Sequence, residues 1–199
     1  MNFTIPLFTP PYSPVVKWEN LFSSEELDKI NEMFEFLEFK QGKTGIYIDP
    51  NATQDTSIRD SNILFLEPDR SNEWIYHRIV GLISKVNFEN FRLKIYSMQP
   101  LQFTKYNNDQ HYTWHMDSWI NGSPEDRKLS ISICLSNKKD FEGGEFQIVT
   151  GGNIHKPLTI DLDRGDAVIF PSFLPHQVTK VTNGERRSVV GWCVGERYV

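Results

Sequence analysis

GDAVIFPSFLPHQVTKVTNGERRSVVGW, residues 165–192, decides how this chain reads. Three short runs rich in β-branched and aromatic side chains, AVIFPS, HQVTKVT and ERRSVVGW, are separated by Pro175 and by Asn183-Gly184. Proline cannot donate to a ladder and Asn-Gly favours positive φ, so both breaks end strands. The spacing predicts a strand that begins at His176, a hairpin at Asn183-Gly184, and a strand returning antiparallel beside the first. A period of two puts Arg186, Ser188, Val190 and Trp192 on one face of the returning strand and Glu185, Arg187, Val189, Gly191 and Cys193 on the other. Only one of the two adjacent arginines can therefore face inward.

The same patterning extends back to about residue 91, through FRLKIYSM, LQFTKYN, YTWHMDSW, KLSISICLS, GEFQIVT and KPLTIDL, with Gly, Asn, Asp and Pro between the runs. It predicts about eight strands and suits a sandwich or jelly roll. Before residue 90 the period is helical. Ser23 and Glu26 form a capping box, Leu21 or Phe22 can staple onto Leu27, and Leu27, Ile30, Phe34 and Leu37 recur at helical spacing, which predicts a helix over 24–38. Trp74, Ile75, Ile79, Leu82, Ile83 and Val86 predict a second, from Ser71 to about 88. The expectation is one domain over 1–199, mainly β with supporting helices packed on one sheet. Residues 1–90 would form a helical support region and lid, and 91–199 the core.

KLSISICLS has an unusual alternation. Leu129, Ile131, Ile133 and Leu135 share one face, and Ser130, Ser132 and Cys134 the other. A solvated face carries long charged side chains, so a row of small ones suggests a wall lining a cavity; the bland alternative is a serine-rich strand facing water.

Composition narrows the function classes. With 199 residues, 39% hydrophobic and 13% aromatic, the chain can build one sizeable core. Lys and Arg number 21 against 26 Asp and Glu, a net charge of −5, and the basic residues are dispersed, which disfavours nucleic-acid and membrane-surface partners. No apolar run reaches the length of a membrane span, and MNFTIPLFTPPYSP lacks the pattern of a signal peptide, so the default compartment is cytoplasmic. Cys134 and Cys193, the two cysteines, are expected to be reduced core residues.

His115 and Asp117 are two apart in a strand-like run, so both would face one way at about 6 to 7 Å, within bridging distance of one ion. A His-x-Asp arises by chance about 0.3 times in a chain of this composition, so the pair needs a third partner. His176 supplies it, and an inward Arg186 needs an anion to compensate it. Two imidazoles and a carboxylate on one face of an octahedron leave three adjacent positions open, the arrangement of non-haem Fe(II) oxygenases. Zn²⁺ would accept the same ligands, but no His-Glu-x-x-His pattern accompanies them. His77 reads as a surface or packing residue, His111 as a rim residue, His155 as a hairpin end, and Arg187 as a surface ion-pair partner. Gly143-Gly144 reads as a turn with positive φ.

Taken together, His115-x-Asp117, FEGGEF at 141–146, GDAVIFPS at 165–172 and HQVTKVTNGERRSVVGW at 176–192 resemble the Fe(II)- and 2-oxoglutarate-dependent dioxygenases of the prolyl 4-hydroxylase-like group, over roughly residues 90 to 195. The resemblance implies a double-stranded β-helix core, with His115, Asp117 and His176 as metal ligands. It further implies that Arg186 binds the distal carboxylate of 2-oxoglutarate with Ser188 nearby, and that Tyr106 is a second cosubstrate contact. Larger animal members of the group carry a tyrosine where this chain has Cys134, so Ser130 or Tyr106 is left to supply that contact.

The cofactors so implied are Fe(II), 2-oxoglutarate and O2, with ascorbate as an accessory. The reaction is hydroxylation of an unactivated C–H, with succinate and carbon dioxide as co-products. The resemblance favours a prolyl residue in a protein or peptide; a free amino acid or other small molecule is the alternative, and a non-catalytic jelly-roll or cupin-like metal-binding module is the rival from another class. The polar stretches 41–61 and 119–128 read as mobile rims of the substrate entrance.

Overall fold

The computed structural model describes residues 13–43, 55–118, 126–151, 153 and 155–196. In chain order the strands are β1 (Val16–Trp18), β2 (Lys40–Gln41), β3 (Arg59–Asp60), β4 (Asn62–Leu66), β5 (Ile95–Met98), β6 (Leu101–Tyr106), β7 (His111–His115) and β8 (Asp126–Cys134). They continue with β9 (Phe141–Gly143), β10 (Phe146–Ile148), β11 (Leu158–Ile160), β12 (Ala167–Pro171), β13 (His176–Val178), β14 (Val181–Gly184) and β15 (Arg186–Gly195). Helix α1 is Ser24–Phe36 and α2 is Glu73–Val86, the latter running into a π-helical turn at Asn87–Phe91.

The strands make a jelly roll. One sheet has the order β1-β12-β8-β15-β6-β4-β2, with β5 also on β15; the facing sheet has the order β11-β10-β13-β7-β3; β9 and β14 pair as a separate ribbon. Helices cover the outer face of the larger sheet. Ile30 and Phe34 of α1 and Ile75, Ile79 and Ile83 of α2 pack with Phe103, Leu129, Ile131, Ile133, Ile169 and Val189 in one buried cluster. Each such aliphatic side chain contributes about 1.5–3 kcal/mol on burial. The capping box at the start of α1 forms as expected: Glu26 N–H donates to Ser23 Oγ at 3.2 Å and Ser23 N–H to Glu26 Oε2 at 2.8 Å.

The opposite faces of the same strands line the space between the sheets. Val168, Phe170 and Cys134 meet Phe146, Ile148 and Val178 there in a second cluster. The small side of β8 thus turns inward: Ser130, Ser132 and Cys134 are all buried.

Three expectations are corrected. No hairpin forms at Asn183-Gly184. β13 pairs with β7 and β10, β14 pairs with β9, and β15 pairs with β5, β6 and β8. The chain therefore crosses from one sheet to the other between His176 and Arg186. Gly184, at φ +80, lies so close to Asp140 that a Cβ would sit 2.1 Å from its carbonyl oxygen; the turn is packed against the chain before β9 rather than free to fold back. Strands are also not confined to the region after residue 90, since β1 to β4 precede it and join both sheets. Finally, Asp117 lies beyond the end of β7, not within the same strand as His115.

Of the two expected rims, residues 44–54 and 119–125 lie outside the described residues. The rest of the first rim is partly strand, and Arg59 within it is buried. Among the described residues no helix is long and apolar enough to cross a membrane.

Candidate functional site

His115 ends β7 and His176 begins β13, and the two are direct partners across that antiparallel pair. Asp117 is brought alongside by its backbone, whose N–H donates to Ser172 O at 2.9 Å. One ligand atom from each of His115, Asp117 and His176 lies within 4.8 Å of the others. His176 Nε2 is 3.5 Å from Asp117 Oδ2 and His115 Nε2 is 3.9 Å from Asp117 Oδ1. All three side chains are at most 10% exposed.

The tautomers follow from the backbone. His115 Nδ1 is 2.8 Å from Thr113 O and His176 Nδ1 is 3.0 Å from Leu174 O. A carbonyl only accepts, so each Nδ1 carries a proton, and each Nε2 is turned toward the shared point beside Asp117. Burial, reinforced by the neighbouring His176, holds His115 down at about 3, so its imidazole is neutral across the physiological range. Burial acts to raise the Asp117 carboxyl, but the two imidazoles, Arg127 and a hydrogen bond from Ser130 outweigh it and keep the group below its ordinary value, ionised. A neutral imidazole at His115 and an ionised carboxylate at Asp117 are protonation states a divalent ion requires.

Arg186 faces inward from the opposite sheet and is 2% exposed, while Arg187 pairs outward with Glu185 and Glu35. No carboxylate among the described residues pairs with Arg186, and its Nη1 is buried without a hydrogen-bond partner. Arg186 pairs in register with Tyr106, whose ring lies 5.8 Å from the guanidinium carbon. Burial pushes the Tyr106 hydroxyl up, against the nearby positive charges of Arg59 and Arg186, which act to lower it. Ser188 sits one inward position along, opposite Cys134. The Cys134 thiol donates to Ser136 O at 3.4 Å. Gly144 leaves room for Arg186: a Cβ there would sit 2.9 Å from Arg186 Cδ, at φ +59. A buried guanidinium with an unpaired nitrogen, on the sheet that faces the metal-type triad, suits a carboxylate ligand.

Ser130 is elsewhere. It stands opposite Trp192, six residues along β15 from Arg186 and so about 20 Å along the strand. Its hydroxyl donates to Asp117 Oδ2 at 2.7 Å. Both cysteines are free thiols as expected. His77 and His155 are exposed; His111, partly buried, lies with its ring nitrogens 3.2 Å from Asp109 O and Ser57 O.

Four residues around the site escaped the sequence reading. Tyr112 stacks on His115, and Arg59 lies over the far face of Tyr112 at 4.7 Å. Arg127 lies 3.8 Å over the ring of Trp192, whose indole N–H is buried without a partner among the described residues. Ser172 carries the carbonyl that holds Asp117. A period of two places Tyr112 and His115 on opposite faces, but an irregularity in the β13–β7 register sets Val178 against Tyr112 and rotates it onto the histidine. The one signal for Arg59 and Arg127 was a lone cation beside an alternating run, which is too common to single them out.

Two imidazoles and a carboxylate inside a jelly roll are the ligand set of mononuclear non-haem iron oxygenases. Residues 101–194 match the family model of the 2OG-Fe(II) oxygenase superfamily. The chain is similar to a PKHD-type hydroxylase of Prochlorococcus marinus, 32% identical over 177 residues, or 87% of this chain and 71% of that protein. It is 36% identical to a PKHD-type hydroxylase of Alteromonas mediterranea over 98 residues, 47% of this chain and 42% of the relative. Among solved structures, the fold resembles a Trichoplax adhaerens prolyl hydroxylase in complex with a hypoxia inducible factor peptide fragment. The TM-score there is 0.74 at 18% identity, covering 92% of this chain and 84% of the other. It also resembles a Pseudomonas putida prolyl-4-hydroxylase, with a TM-score of 0.69 at 16% identity, covering 93% and 94%. The chain belongs to the 2OG-Fe(II) oxygenase superfamily, with the PKHD-type hydroxylases, and is a 2-oxoglutarate-dependent dioxygenase. Membership implies Fe(II), 2-oxoglutarate and O2, and the His-Asp-His cluster accords with it.

Proposed function

We propose that this enzyme hydroxylates a prolyl residue in a protein or peptide, releasing succinate and carbon dioxide, with His115, Asp117 and His176 holding Fe(II) and Arg186 holding the distal carboxylate of 2-oxoglutarate. The observation that carries the reading is the Arg186 nitrogen, buried and unpaired on the sheet that faces the triad. A bound iron supplies activation of dioxygen for attack on an unactivated C–H bond.

The chain's own residues do the rest by position. The Nδ1–H groups of His115 and His176 donate to Thr113 O and Leu174 O, which keeps both Nε2 atoms directed inward. Arg186 offers its unpaired N–H to a carboxylate, and Tyr106 and Ser188 flank that position. Phe146 and Phe170 pack against the His176 ring and exclude water from that side. No group need act as a general acid or base. The peptide reading is supported by the likeness to a prolyl hydroxylase that carries a peptide fragment.

Succinate release, with iron, 2-oxoglutarate and ascorbate supplied, tests the cosubstrate. Proline-containing peptides and free amino acids are then screened in parallel for the mass gain of one oxygen. Oxygen gain on free amino acids alone refutes the peptide reading, and 2-oxoglutarate binding that is unchanged in Arg186→Leu refutes the role of Arg186.

A further inference from the structure

Asp117 lacks what orients the two histidines. Each imidazole sits on a paired strand and is tied to a carbonyl two residues away, whereas Asp117 follows the end of β7 and has no ladder to set its side chain. Something else must decide which way its carboxylate faces.

Two serines, both completely buried, converge on it. Ser130 Oγ lies 2.7 Å from Asp117 Oδ2, and Ser172 Oγ lies 2.9 Å from Ser130 Oγ. An ionised carboxylate has no proton to give, so Ser130 donates to Asp117 and its own lone pair accepts the proton of Ser172. The donors therefore run in one direction, from Ser172 through Ser130 to the carboxylate. Ser172 holds the backbone as well: its carbonyl accepts from the N–H of Asp117 at 2.9 Å and of Ser118 at 3.0 Å, and its own N–H donates to Lys128 O at 3.0 Å. One residue at the end of β12 and one on β8 thus hold both ends of Asp117.

We infer that Ser130, backed by Ser172, is a positioning residue for the Asp117 carboxylate, setting how that group faces the two imidazoles and therefore how a bound ion is coordinated. This rests on the reading of His115, Asp117 and His176 as metal ligands. Without the Ser130 hydroxyl the carboxylate is free to turn about its Cβ–Cγ bond and to present both oxygens. If the hydroxyl merely satisfies a buried acceptor, its loss lowers stability and leaves coordination as it was.

The test uses the full chain loaded with Mn(II) to read affinity and with Co(II) to read coordination by visible absorption, so turnover is not needed. Ser130→Ala is expected to bind Mn(II) about tenfold more weakly and to alter the Co(II) spectrum, with Ser130→Thr restoring both. Ser172→Ala, which leaves the Ser130 hydroxyl in place, is expected to shift both readings the same way by less, and it serves where Ser130→Ala does not fold. Wild-type affinity and spectrum in a folded alanine variant overturn the inference. Failure of the wild-type protein to take up Mn(II) overturns the triad reading and the inference with it, so the two failures are distinct.

Discussion

The ring of Tyr112 stacks face to face on that of His115, centroids 3.5 Å apart and planes 10° from parallel, and the Arg59 guanidinium closes the stack from the other side. The imidazole is thereby fixed in its plane as well as at Nδ1. Burial pushes the Tyr112 hydroxyl up to about 12, so the ring is neutral.

Truncating that ring should be read at the metal. Tyr112→Ala is expected to weaken Mn(II) binding about tenfold, in the range found when groups supporting a ligand are lost, whereas Tyr112→Phe keeps the stack and should match wild type. Isothermal titration of the two variants checks this, and equal affinities in both would mean that the stack does not orient His115.

Arg186→Leu should separate stability from binding. Removing an unpaired buried charge leaves the ligand-free protein as stable as before or steadier, by about 1–4 kcal/mol. The same change should lower 2-oxoglutarate affinity at least about a hundredfold. Urea melts with and without 2-oxoglutarate, in the presence of Mn(II), report both signs at once.

Gly144→Ala tests the space beside that arginine. Its Cβ would press on Arg186 Cδ and lie 3.0 Å from Val181 Cγ2, from a backbone at φ +59 that costs a residue with a side chain about 1–2 kcal/mol. We expect weaker 2-oxoglutarate binding with Mn(II) affinity unaltered. A loss of metal binding instead would place the damage in the triad.

Acid should destabilise the metal-free protein. In the unfolded chain His115 takes up a proton near its ordinary 6.5, whereas the folded imidazole waits until about 3. The unfolded state therefore binds more protons in that window. Stability present above 6.5 is lost as pH falls, by about 2 kcal/mol at pH 5 from this residue alone. Asp117, also lowered, adds a loss of the same sign further into acid. Denaturation midpoints at pH 7 and 5 in the presence of a chelator should show the drop, and His115→Gln should reduce it.

Local chemistry was legible in the sequence wherever neighbours along the chain decide it. The capping box at Ser23, the apolar and small faces of β8, and the rule that only one of Arg186 and Arg187 can face the interior all follow from spacing alone. The convergence of His115, Asp117 and His176 was also expected. What escaped depends on partners distant in the chain. Asn183-Gly184 looks the same whether the next strand turns back or crosses over, since the difference lies in β6 and β8 claiming β15. The irregularity that brings Tyr112 onto His115 exists only in the register with β13. Arg59 sits in a strand of two residues, too short to announce itself by period.

Because the chain changes sheets between His176 and Arg186, a link of nine residues, 177–185, joins two opposing walls of one chamber. The gap between an ion and the far end of its cosubstrate is thereby governed by connecting backbone as well as by the side chains lining it. A redesign that shortens this tether should compress both binding sites together, and one that lengthens it should open room for a longer diacid without touching a single contact residue.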